Sequence, residues 1–175
     1  MYNLISQNCL NGGLYHFLNE KYGNPFMWVV IDFNSMLYMI QNWDNIDFEN
    51  YELVKDDKWN FSIIIEDKIK IQYVHYKQNP NFTIPQKTGP GDICYYKIWE
   101  FIVQKYEERL KRMKEQNIKP LFCICNFNTI YQDAIYTEEQ LKILEQFDNV
   151  KVLRGFEKKE PRESSYAFYL NFLRK

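Results

Sequence analysis

Cys9 is the residue of this chain whose setting most favours chemistry. The apolar opening Tyr2-Asn-Leu-Ile-Ser6 reads as a buried strand, and Leu14, Tyr15, Phe17, Leu18 and Tyr22 then recur at helical spacing up to a C-capping Gly23. Cys9 is therefore expected at a strand-to-helix junction, at or just before the helix N-terminus. Unpaired N–H groups and the positive end of the helix dipole favour a thiolate there, and the thiolate is the nucleophilic form. The neighbouring Gly12 and Gly13 would let a substrate or a turn approach the backbone closely. The opposing reading is that cysteine is among the most buried residue types and often only fills space.

A thiolate nucleophile needs a base, and the chain has two histidines. His75 ends a predicted strand just before a long loop, and strand ends are where α/β folds place their sites. His16 lies two helical turns beyond Cys9, about 10 Å along the axis, too far for a direct hydrogen bond. A third group would orient the imidazole. Asn126 and Asn128 follow the apolar strand Leu121–Cys125, and either side-chain oxygen could accept from a histidine N–H. Asp133 lies in the loop beyond, and asparagine after a strand is also an ordinary turn former.

Other constellations are weaker. Cys123 and Cys125 alternate along their strand and are expected on opposite faces, which argues against a shared metal, and no zinc-ligand spacing is present. No metal or cofactor is expected. GxGxxG, GxxxxGK[ST] and GxSxG are all absent. Arg109, Lys111, Arg112 and Lys114 are interleaved with Glu107, Glu108 and Glu115, which reads as a solvated helix face with i,i+4 pairs. Arginine also matches phosphate and carboxylate oxygens, so Arg109 and Arg112 are anion-binding candidates. Trp28, after Pro25-Phe26, could stack on a substrate or anchor the core.

The elements that must position these residues alternate between strand and helix. Asp32 reads as the N-cap of a helix with Phe33, Met36, Leu37 and Ile40 on one face. Ile63–Ile65 and Ile69–Val74 flank Glu66-Asp67-Lys68 as a hairpin, and residues 79–91 form the longest loop. A long helix spans about 92–117, and Pro120–Cys125 is a buried strand. Thr137-Glu-Glu-Gln140 is a capping box opening a further helix. Val150–Leu153 is the last strand, and Tyr166–Leu173 the last helix. The pattern predicts one α/β domain over residues 1–175, a three-layer α/β/α sandwich on a mixed β-sheet.

Composition sets outer limits. With 22 Lys+Arg against 23 Asp+Glu the net charge is -1, which speaks against a non-specific nucleic-acid binder. No apolar run reaches the ~20 residues of a membrane helix, and the start lacks the pattern of a signal peptide. A cytoplasmic location without membrane insertion is the expectation, and the four cysteines are expected as thiols.

Ile5-Ser-Gln-Asn-Cys-Leu-Asn-Gly-Gly13, Asn24-Pro-Phe-Met-Trp28, Tyr73-Val-His-Tyr76 and Tyr106-Glu-Glu-Arg-Leu-Lys-Arg112 occur in that order. In this the chain resembles, over about residues 3–155, bacterial domain-of-unknown-function families described as papain-like cysteine peptidases. Some of their relatives are labelled exopolysaccharide biosynthesis proteins. The resemblance implies an α/β fold, Cys9 as nucleophile, His75 as base, and Arg109 and Arg112 on an arginine-bearing helix. Two functions follow as expectations. One is a thiol-dependent hydrolase or acyltransferase using Cys9, His75 and Asn126, with Gly12, Gly13, Trp28, Arg109 and Arg112 around a small-molecule, peptide or saccharide substrate. The other is a non-enzymatic accessory protein of exopolysaccharide biosynthesis that binds a sugar or sugar phosphate.

Overall fold

Short apolar and β-branched runs make the strands of this chain, and each needs neighbours to stand. A computed structural model describes residues 3–8, 10–19, 21–55, 61–73, 93–126, 132–154 and 162–173. Three of the strands, β1 (Asn3–Ile5), β6 (Pro120–Cys125) and β7 (Val150–Leu153), form a parallel sheet in the order β1-β6-β7. Parallel strands need long crossovers, and helices supply them. α1 (Leu10–Phe17) leaves β1, α3 (Ile93–Gln116) leads into β6, and α4 (Glu138–Leu144) joins β6 to β7.

Both faces of this sheet are covered. Leu4, Cys123, Cys125 and Leu153 pack with Leu14 and Tyr15 of α1 and with Tyr169 and Leu173 of α5 (Arg162–Leu173). Ile5, Phe122 and Ile124 join a second cluster with Ile102, Tyr106 and Leu110 of α3 and Leu141 and Leu144 of α4. Cys123 and Cys125 thus share one face, against the expectation of opposite faces. Residues two apart on a strand point the same way, and the intervening Ile124 takes the other side.

The remaining strands are antiparallel. β2 (Val29–Ile31), β5 (Ile69–Tyr73), β4 (Phe61–Ile65) and β3 (Tyr51–Lys55) pair in that order. The fold is mixed α/β as expected, but the parallel and antiparallel ladders are two sheets, not one mixed sheet. Hydrogen bonds join them along a seam: the Ile31 N–H donates to the Gln7 carbonyl at 3.0 Å, and the Tyr136 hydroxyl donates to the Ile31 carbonyl at 2.8 Å. The seam places the turn after β1 against the start of α2 (Phe33–Asn42). Asp32 caps that helix as predicted, accepting from the Ser35 N–H at 3.0 Å and the Ser35 hydroxyl at 2.7 Å.

Several boundaries moved for identifiable reasons. The first helix ends at Phe17, short of Tyr22, and Asn19 takes a left-handed φ of 53° just beyond it. Asparagine tolerates that conformation better than most residues, so Asn19 ends the turn where Gly23 was expected to. β2 and β3 were not foreseen, because three to five residues give too little periodicity to separate from loop. The hairpin stands as read: Glu66 and Asp67 have φ of 50° and 56°, and Lys68 N–H donates to Ile65 O at 3.0 Å. The two left-handed residues turn a three-residue loop, Glu66 to Lys68, between the paired Ile65 and Ile69. Thr137 and Gln140 form the reciprocal capping box of α4. The last helix begins at Arg162, a turn before Tyr166. Among the described residues no helix is long and apolar enough to cross a membrane.

Candidate active site

Ser6, Gln7 and Asn8 carry the chain from β1 towards α1, and all three are buried. Buried polar groups must find partners, and these find them mainly on β6. The Gln7 side-chain oxygen accepts from the Cys125 N–H at 3.1 Å, and the Asn8 amide donates to the Cys125 carbonyl at 2.8 Å. Ser6 Oγ donates to the Asn8 carbonyl at 2.8 Å. Two carboxamides therefore bracket the main chain of one residue, extending the β1–β6 pairing past the end of the strand. Position 9 falls in the sequence between this fastened turn and Leu10, the first residue of α1. Cys9 itself, like His75 and Asn128, lies outside the described residues.

Asn126, expected to orient His75, bonds to the main chain of Tyr136. Its Oδ1 accepts from the Tyr136 N–H at 3.1 Å, and its Nδ2 donates to the Tyr136 carbonyl at 2.5 Å. Gln7 Nε2 is 3.5 Å from the same Oδ1. The Asn126 carboxamide thus closes the connection after β6 like a strut, and the Tyr136 hydroxyl carries the contact on to β2.

A second network surrounds the first helix. Trp28 adopts a φ of 63°, costly for a bulky residue and held only where neighbours over-determine it. Its indole lies against Gly12 of α1: a Cβ there would come within 2.6 Å of Trp28 Cδ2. The indole N–H donates to the Tyr22 hydroxyl at 2.8 Å. Tyr22 is the hub, since its carbonyl accepts from Arg112 Nη1 at 2.9 Å and its ring lies 5.0 Å below the Arg109 guanidinium. Arg109 Nη1 also donates to the Met27 carbonyl at 3.3 Å. Asn24 locks the other end, donating to Asn3 Oδ1 at 2.8 Å and the Leu4 carbonyl at 2.9 Å, and accepting from the Phe26 N–H at 3.0 Å.

These contacts revise the expected binding residues. The helix face carrying Gly12 is filled by Trp28. Gly13 and His16 lie within α1. The solvated-face reading fails at Arg109, which is 6% exposed, because α3 turns that residue inward over Tyr22 and Met27. It holds for Lys111, whose ammonium lies 3.9 Å from Glu115 in an exposed pair. Arg112 is intermediate, 3.7 Å from Glu108 on one side. Sequence reasoning missed Gln7, Asn24 and Tyr22. Only Asn24 carried a signal, as an Asn-Pro turn former.

The two thiols beneath the sheet are chemically quiet. Burial pushes both Cys123 and Cys125 up to about 12. Among the described residues no group of three or more His, Cys, Asp or Glu side chains is arranged to hold a metal. No protein-family model matches this chain, and no curated protein matches it in sequence.

Proposed function

We propose that the protein is a thiol-dependent hydrolase or acyltransferase with Cys9 as its nucleophile and His75 as its base. One observation carries the reading: position 9 falls between a turn fastened to β6 by buried carboxamides and the first residue of α1. A helix start offers unpaired N–H groups to a thiolate and to an oxyanion. The thiolate attacks the carbonyl carbon of an ester, thioester or amide, and His75 returns the proton to the leaving group. Water, or an acceptor hydroxyl, then releases the acyl group from sulfur. Asn126 fixes the strand end in this scheme through its two hydrogen bonds to Tyr136. The resemblance to papain-like families supports the same pair of residues.

The test is the pH dependence of iodoacetamide alkylation at each cysteine, read by peptide mass spectrometry. Cys123 and Cys125 are internal slow references, their thiols pushed up to about 12. Cys9 is expected to label rapidly below pH 7 and to lose that advantage in His75→Ala. Labelling of Cys9 no faster than Cys94 removes the proposal.

A further inference from the structure

Arg109 is a desolvated cation whose donors are largely unused among the described residues. It is 6% exposed, yet of the five N–H groups a guanidinium carries one is engaged by the described residues, reaching the Met27 carbonyl at 3.3 Å. The Tyr22 ring, 5.0 Å away, supports one face. Among the described residues no carboxylate pairs with it. The neighbouring acids of α3 are occupied: Glu108 sits 2.9 Å from Lys105 and 3.7 Å from Arg112, and Glu107 accepts from the Tyr51 hydroxyl at 2.7 Å. Arg112 makes the contrast, with both the Tyr22 carbonyl and Glu108 as partners. A buried charge is normally paired, and a guanidinium edge matches two oxygens held on one centre.

We infer that Arg109 is an anion-binding residue, taking a carboxylate or phosphate group against the Tyr22 ring. A continuous set of contacts runs from this site to α1: Arg109 on Tyr22, Tyr22 on the Trp28 indole, and Trp28 on Gly12, which in the sequence comes three residues after Cys9. Assigning this anion to the substrate rests on the reading of Cys9 as nucleophile; the anion site itself does not. The substrate class that results is an acyl compound bearing a carboxylate or a phosphate.

The chain has five arginines, Arg109, Arg112, Arg154, Arg162 and Arg174, so their side-chain Nε–H signals can be resolved by nitrogen-15 NMR of the whole protein. Inorganic phosphate and acetate are titrated separately at ionic strength held constant with chloride. Arg109 is assigned from Arg109→Lys or, should that variant not fold, by elimination from the other four substitutions. The expected result is a saturable shift of the Arg109 signal in at least one titration, with the stronger response naming the oxyanion. An unmoved Arg109 signal, or five signals drifting together without saturation, overturns the site. Alkylation of Cys9 on the same samples keeps the two ideas apart. Rapid labelling beside a silent Arg109 removes the anion site alone, and a saturable Arg109 beside a slow Cys9 removes the nucleophile alone.

Discussion

Gly12→Ala should destabilise the protein although it replaces glycine by alanine within a helix. Intrinsic propensity by itself favours alanine by up to about 1 kcal/mol. The structure opposes this, because the new Cβ would lie 2.6 Å from Trp28 Cδ2, 2.7 Å from Cε2 and 2.9 Å from Cγ. The indole cannot yield freely: its backbone is left-handed and its N–H is held by the Tyr22 hydroxyl at 2.8 Å. Overpacking of this kind costs typically 1–3 kcal/mol, or about 2, and losing the indole hydrogen bond adds about 1 kcal/mol. Set against the propensity gain, the net loss is about 2 kcal/mol, a fall in Tm of roughly 4–8 °C for a chain of this size. Thermal unfolding followed by circular dichroism measures it. A double-mutant cycle with Trp28→Ala isolates the cause, since Gly12→Ala made in that background should be neutral or stabilising. A Tm that rises in the single mutant, or an equal fall in both backgrounds, would refute the packing argument.

Two further predictions test other parts of the structure. Burial raises the Cys123 and Cys125 thiols from 9.0 to about 12 in the folded state. The unfolded chain therefore releases these protons first, and stability falls as pH rises from about 9 towards 12. Urea midpoints measured between pH 8 and pH 11 should drop less steeply in Cys123→Ala/Cys125→Ala than in the parent; identical slopes would show that the thiols are not perturbed. Tyr136→Phe removes the 2.8 Å hydrogen bond to the Ile31 carbonyl across the seam between the sheets. Leaving a buried carbonyl without its donor should cost about 1–3 kcal/mol, seen as a lower urea midpoint with an unchanged m-value, and a variant as stable as the parent would remove the seam from the account.

Local chemistry wrote much of this fold directly into the sequence. Asp32 and the Thr137–Gln140 box start their helices because their side chains satisfy orphan N–H groups within three residues. The Glu66-Asp67 hairpin and the apolar strand Pro120–Cys125 are likewise local matters. So is the succession of β1 and α1, which are close neighbours in the chain. Tertiary structure decided what depends on partners distant in sequence. Arg109 looks like a solvated residue among glutamates until α3 lays it over Tyr22 and Met27, about eighty positions away. Asn126 reads as a turn former or a histidine partner, and the hydrogen bonds it makes to Tyr136 are set by the return of the chain ten residues on. Gly12 looks open to a ligand until Trp28 covers it. Which surface a guanidinium, an amide or a missing Cβ will meet is set by long-range packing, and residue type and spacing carry no record of it.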